Sequence, residues 1–405
     1  MHVLFVEPAF PKNQRQFVRA LHAVGARVTG IGEAPREALD SELKSWLYGY
    51  EQVPTVVHEP SLLAAVRRCQ AREWVDRLEA TVEAHIMPAA AVREASSIPG
   101  TSVQTSYLCR DKPAMKEALR QGGISCAASM GSDDPDAVRA FAKKIGYPLI
   151  LKPRSAAGAA DTYRVDSDEQ LNRVLAESGV GRGGDVAVEE FIEGHEGFFD
   201  TITIGGRIVH YFVSHYYPGV LEAMRTRWIS PQFIATNRVD APGYDEVKQM
   251  GHRVNELLDI QTSATHMEWF FGPKGLKFSE IGCRPPGVGA WDLYCAGNDI
   301  DIYKEWANAI VHGRPGDRAS RRYAAGLIAL RPDRDGRIAG YEGLQILDRF
   351  SEWIIDTHLP PAGARTQPVE AGYMANAYVR MRHPDYDHLR WMLDRVGETV
   401  QVRAH

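Results

Sequence analysis

The chain has 405 residues, 44% hydrophobic and 24% charged, a composition that predicts two or three domains with well-formed cores and excludes a disordered or collagen-like polymer. Its formal charge of −5, from 47 basic and 52 acidic residues, excludes a general electrostatic grip on nucleic acid or anionic lipid and confines phosphate recognition to local basic clusters. Five cysteines without a CxxC pair fit neither a disulfide framework nor a zinc site. With no basic leader in MHVLFVEPAFPKNQ and no run of about 18 apolar residues, the expectation is a cytoplasmic protein that binds neither nucleic acid nor membrane.

Residues 2–6, HVLFV, read as a strand, and Asn13 to Ala26 as a helix with Phe17, Leu21 and Val24 on one face. After Gly25, RVTGI reads as a second strand, so the chain opens as a parallel β-α-β layer. EPAFPKNQ stands where a dinucleotide fold carries GxGxxG, which argues against a nicotinamide site. The layer continues through LLAAVRR and a helical reading of REWVDRLEATVEAHIMPAAAVREA, up to a boundary loop, SSIPGTS, near residue 100. Asp111 then caps a helix with Pro113 in its first turn and Gly122-Gly123 at its end. Asp133 or Asp134 with Pro135 opens the next, Gly146 and Pro148 stop it, and PLILKPR follows as a buried strand. Ser167 and Gln170 have capping-box spacing for a third helix, ended by Gly179. The strand DVAVEEFI, a hairpin turning at Gly205-Gly206, a helix from Tyr244 to Leu258, the hairpin ATHMEWFFGPKGLKFSEI and the helix IDIYKEWANAIVHG complete this region. Beyond residue 320, strand, turn and helix alternate through RYAAGLIAL, DRDG, EWIIDTHL, GYMANAYVRM and HLRWMLDRVGE. The predicted organisation is an α/β domain over 1–105, an α+β unit over 106–313 and a small α+β lobe over 314–405.

The chemistry begins with Glu268 and Glu280, each on an apolar strand where an ionised carboxylate needs a partner. A three-residue loop, Pro273-Lys274-Gly275 with Gly275 left-handed, pairs Gly272 with Leu276 and sets the two acids face to face, an arrangement that suits magnesium. A four-residue loop would put them on opposite faces, and either acid could simply lie on an exposed edge. Arg284, in the rigid stretch EIGCRPPG, suits a phosphate or carboxylate, or a structural salt bridge to one of the glutamates. Lys112 starts its helix, and Lys152 ends PLILKP before the loop SAAGAAD; both suit phosphate, although Lys152 could equally emerge to solvent. In VAVEEFIEGHEGF an extended segment can offer an adenine its backbone polar groups, with a carboxylate further on for ribose; the alternative is an acidic surface loop.

The ordered set DK (Asp111, Lys112), LKP (Lys152), EEFIEGHE (Glu189 to Glu196), HMEWF (Glu268) and EIGCRPPG (Glu280 to Gly287) resembles the ATP-grasp superfamily, particularly its carboxylate-amine ligases of the L-amino acid ligase type. The resemblance implies an ATP-grasp fold of mixed α/β and α+β class, with a Rossmann-like pre-ATP-grasp domain before it and a small C-terminal α+β lobe after it. It implies ATP phosphates on Lys112 and Lys152, adenine read by the Glu190 carbonyl and the Ile192 N–H with Phe191 between them, Glu189 by the adenine amino group, and Glu196 on ribose. Glu268 and Glu280 would ligate magnesium, with Glu280 bridging two ions, and Arg284 would meet the transferred phosphoryl group or the substrate carboxylate. Gly282 stands where many members carry an asparagine metal ligand, and Ala160-Asp161 where the phosphate loop often carries Gly-Ser. The implied reaction phosphorylates a carboxylate from ATP and lets an amine attack the acyl phosphate, giving an amide, ADP and phosphate, with Lys152 and Arg284 as catalytic residues. Such transfer needs charge neutralisation and alignment rather than a protein nucleophile, and the chain shows no Ser-His-Asp or Cys-His set. His266 reads as a support or core residue. Arg225, Arg227 and Trp228 either line a small amino-acid pocket or sit on an exposed turn. The expected partners are a small carboxylate and an amine; a homodimer, the commonest soluble assembly, stays open. The rival readings are a bicarbonate-phosphorylating, carboxylase-like enzyme and a catalytically silent ATP-binding regulatory module.

Overall fold

The computed structural model describes residues 1–153, 162–369 and 376–405. The N-terminal layer runs β1 (His2–Val6), α1 (Gln14–Ala23), β2 (Arg27–Gly32), α2 (Ser41–Trp46), β3 (Gly49–Gln52), α3 (Glu59–Arg72), β4 (Arg77–Glu79), α4 (Glu83–Ala95). Its sheet is parallel, ordered β3-β2-β1-β4. The helical reading of REWVDRLE fails here: α3 stops at Arg72 and Arg77–Glu79 is an edge strand with Leu78 opposite Leu4. Val75 and Leu78 are both buried, and a three-residue strand carries too little periodicity to be told from a helix turn.

Next come α5 (Val103–Leu108), α6 (Lys112–Gln121), β5 (Ser129–Ser132), α7 (Pro135–Ile145), β6 (Leu149–Pro153), β7 (Tyr163–Val165), α8 (Asp168–Glu177) and β8 (Val186–Glu190). The caps fall where the sequence puts them. Asp111 accepts from Ala114 N, Asp134 from Asp136 N and Ser167 from Gln170 N, each answering an orphan N–H of a first turn. Strands β5-β8-β6-β7 form an antiparallel sheet. The loop SAAGAAD lies outside the described residues.

The largest sheet takes β9 (His195–Ile204), β10 (Arg207–Tyr217), β11 (Gln232–Ala235), β12 (Ser263–Gly272) and β13 (Gly275–Gly282), with α9 (Val220–Ala223) and α10 (Asp245–Leu257) between them. After α11 (Ala290–Asn298) and α12 (Ile302–His312) it gains β14 (Ala324–Leu330). It then gains β16 (Ile354–His358) and β17 (Ala377–His383), whereas β15 (Ile338–Glu342), α13 (Gln345–Arg349), α14 (Tyr386–Thr399) and β18 (Gln401–Ala404) pack around that end. The order is β13-β12-β9-β10-β11-β14-β17-β16, so eight strands from both sides of residue 313 share one sheet. Its inner face packs on α11, α12 and the N-terminal layer, where the Phe17 ring meets Trp291, Tyr303 and Trp306 at 5.2, 5.1 and 5.1 Å. No helix among the described residues is long and apolar enough to cross a membrane.

Candidate active site

The β12–β13 hairpin sets the site. Its loop is shorter than the three residues expected: Gly272 pairs with Gly275, and Phe271, not Gly272, faces Leu276. On a regular ladder Glu268 would then face Ser279. A bulge between Trp269 and Glu268 absorbs one residue of β13, and Glu268 faces Glu280 after all. Gly275 is left-handed as expected, with φ 75°.

Glu268 and Glu280 line one wall of a cavity of ≈ 890 Å³ between the antiparallel sheet and the large one. Lys112, Lys152, Glu189, Glu190, Phe191, Ile192, Glu196 and Arg225 line it as well. Arg227 and Trp228 are not among its lining residues: Arg227 pairs with Asp335 at 2.7 Å and Trp228 is 88% exposed. Arg225 donates to the Thr162 carbonyl. Arg284 is not among the lining residues either: its Nε donates to Glu83 Oε2 at 2.6 Å and its Nη1 to the Pro285 carbonyl at 2.8 Å. Its ion-pair partner is thus an acid of the N-terminal layer rather than Glu268 or Glu280.

The cavity sets lysines against carboxylates. Lys112 Nζ touches Glu280, and burial, then the like charge of Lys152, push the Lys112 ammonium down to about 8. Burial also lowers Lys152, with Glu189 and Glu268 pulling it back. Burial alone would raise Glu189, but Lys116 Nζ at 2.7 Å, with Lys112 and Lys152, holds that carboxyl below the usual range. Glu268 behaves likewise: burial raises it, and His266, Lys112 and Lys152 bring it down. His266 Nδ1 bonds Asp200 at 2.7 Å and its Nε2 lies 3.6 Å from Glu268; burial lowers it, but Asp200 and Glu268 outweigh that and push it up to about 9. Glu196 is pushed up to about 8 by burial and then by Glu268, although Val220 N donates to it at 2.6 Å.

The two opposed carboxylates fit a hard divalent cation. Among the described residues no group of three or more His, Cys, Asp or Glu side chains is arranged to hold a metal, so a cation held by these two acids would need its other ligands from nucleotide and water. That division is typical of magnesium bound with a nucleotide. Glu190 meets Lys274, and its N–H donates to the Ala128 carbonyl at 2.8 Å, which fixes the exit of β8 from its sheet. The Arg164 guanidinium lies 4.5 Å from the Phe191 ring.

The motif reading missed Lys116, Glu83, Asp200 and Tyr294, whose hydroxyl donates to Asp200. Lys116 follows Lys112 by four residues, one helical turn, so KPAMK carried a signal. Glu83, 201 positions before Arg284, carried none.

Residues 117–298 match the ATP-grasp domain. It is similar to the L-arginine-specific L-amino acid ligase of Bacillus subtilis, 25% identical over 246 residues, which are 59% of this chain and 59% of that protein. It is also similar to the alanine–anticapsin ligase of Bacillus subtilis (strain 168), 25% identical over 213 residues, 48% of this chain and 44% of that one. The matched stretch therefore spans about half of these relatives' length. The solved L-amino acid ligase of Bacillus licheniformis has the same fold, with a TM-score of 0.77 at 17% identity over 100% of this chain and 98% of that one.

Proposed function

We propose that the protein is an ATP-dependent carboxylate-amine ligase that phosphorylates a small carboxylate and transfers its acyl group to an amine, releasing ADP and phosphate. The observation that carries this reading is the opposed pair Glu268 and Glu280 beside Lys112 and Lys152 in one cavity with the Glu190–Ile192 segment. Lys112 and Lys152 neutralise phosphate oxygens, and partial desolvation strengthens each contact. The Glu190 carbonyl and the Ile192 N–H hold the adenine edge, with Glu189 kept as an acceptor by Lys116. Glu196, closed over by the Val220 N–H, takes the ribose. Glu268 and Glu280 would hold magnesium, which supplies charge neutralisation between the phosphates. Arg284, its plane fixed by Glu83, binds the carboxylate as it gains and loses the phosphoryl group.

The names of the relatives point to an L-amino acid as the carboxylate substrate, with Arg225, the one of the three candidates that lines the cavity, placed to recognise it. The test is ADP release by the purified protein with ATP and magnesium against pooled amino acids, with and without bicarbonate. One or two stimulating amino-acid pools are expected. Stimulation by bicarbonate alone would replace the ligase reading with a carboxylase, and ATP binding without turnover in any pool would favour a regulatory module. Glu280→Gln should abolish turnover while nucleotide still binds; wild-type turnover in that variant would remove the metal assignment.

A further inference from the structure

The loop that carries Arg284 closes in an unusual backbone. Val288 has φ 49° and Gly289 φ 72°, two successive left-handed residues of which the first is β-branched and sterically the least suited to that region. Such a turn persists only where its surroundings over-determine it.

Those surroundings come from the C-terminal strands. The cross-strand row from Glu280 runs through Glu268, Phe198, Ser214, Ala235 and Ala325 to Arg382. Arg380, two residues earlier on β17, therefore lies on the same sheet face as the two acids. Arg380 is 8% exposed. Its Nη1 lies 3.0 Å from Asp292 Oδ2, in the first turn of α11, as an ion pair, and donates to Asp356 of β16 at 3.1 Å. Asp292 in turn accepts from the Tyr303 hydroxyl at 2.9 Å, and the Tyr378 ring lies 4.8 Å from the guanidinium carbon. Nη2 rests on Gly289 so closely that a Cβ there would stand 2.0 Å from it. One guanidinium thus ties β16, β17 and α11 together at the point where the Arg284 loop ends.

We propose that Arg380 is a positioning residue for the ligase reaction: it fixes the Val288-Gly289 turn and the first turn of α11, and through them the loop from which Arg284 reaches the reacting carboxylate. The proposal rests on the reading above that Arg284 binds that carboxylate. Removing the clamp loosens the loop without touching the nucleotide wall, whose lining residues lie on other elements.

The experiment compares Arg380→Met, Arg380→Lys and Gly289→Ala in the full chain. Hydrogen exchange over residues 284–292 should rise about tenfold in Arg380→Met relative to the rest of the sheet. The carboxylate KM should rise and kcat fall while the ATP dissociation constant holds. Arg380→Lys should restore part of both, because an ammonium can still meet one aspartate, and Gly289→Ala should reproduce the loss by displacing Nη2. Unchanged exchange over 284–292 in a folded Arg380→Met protein overturns the clamp. Faster exchange with unchanged KM and kcat, or turnover lost only in step with ATP binding, overturns its role in the reaction. If the wild-type protein releases no ADP with any pool, the ligase reading fails by itself, and the exchange measurement still decides whether Arg380 holds the loop.

Discussion

On the sheet face turned away from the cavity, His195 Nε2 bonds His215 Nδ1 at 2.8 Å, and His215 Nε2 bonds the Tyr244 hydroxyl at 2.8 Å. Burial first, then His195 and Arg390, push the His215 imidazole down to about 3, and burial lowers His195 in the same way. The folded protein thus keeps His215 neutral, whereas the unfolded chain protonates it below about 6.5. The unfolded state therefore binds more protons across that window, so this contribution to stability is complete above about 6.5 and declines as the pH falls toward 3. Unfolding free energies measured by denaturant titration between pH 7 and pH 5 should fall more steeply for the wild-type protein than for His215→Gln, by up to about 1.4 kcal/mol per pH unit for the one proton. Parallel slopes would show that His215 already carries its proton when folded. Such a site is invisible in the sequence, since His195 and His215 meet only because β9 and β10 pair as they do. Lys112 and Lys116 were different, because one helical turn brings them to the same wall without any tertiary information.

The hairpin of β12 and β13 holds the two metal-binding candidates opposite each other, and its turn depends on a single left-handed residue. Gly275 has φ 75°, and a Cβ there would meet nothing within 4 Å. Gly275→Ala therefore isolates the backbone cost from any clash. A loss of about 1 kcal/mol is expected, read as a lower denaturation midpoint, with ATP affinity retained because the strands keep their register. A larger loss together with loss of ATP binding would mean that the turn sets the register of Glu280. The sequence displayed this element through alternating apolar residues and a Pro-Lys-Gly turn, but it showed the opposition of Glu268 and Glu280 for the wrong reason. The loop is one residue shorter than expected and a bulge restores the pairing; bulges follow from how a strand fits its neighbours, which no local pattern encodes. Helix starts were legible for the opposite reason. Asp111, Asp134 and Ser167 satisfy backbone donors within three residues of themselves, so their chemistry is complete in the local sequence.

At the scale of the molecule, the large sheet binds the C-terminal residues to the rest. Strand β14 is buried along all seven of its residues, with Phe233 of β11 opposite Leu327 and Ile234 opposite Gly326. Leu327 and Ala329 belong to the same core as Phe17, Phe198 and Trp291, and α14 covers the other face of the strand with Leu389, Met392, Leu393 and Val396. A chain ending at Gly313 would lose β14, β16, β17 and α14 together. It would leave β11 as an apolar edge with unpaired backbone groups, the kind of edge that native sheets cover or charge. It would also remove Arg331, whose Nη1 donates to the Ala223 and Thr226 carbonyls and so anchors the segment carrying Arg225. The expected outcome for residues 1–313 is aggregation or a non-cooperative thermal transition, against a cooperative one for the full chain. A soluble 1–313 fragment that melts cooperatively and binds ATP as tightly as the full chain would show that the C-terminal strands only extend the sheet. In that event the fixed position of the Arg284 loop would have to come from Glu83 and the N-terminal layer alone.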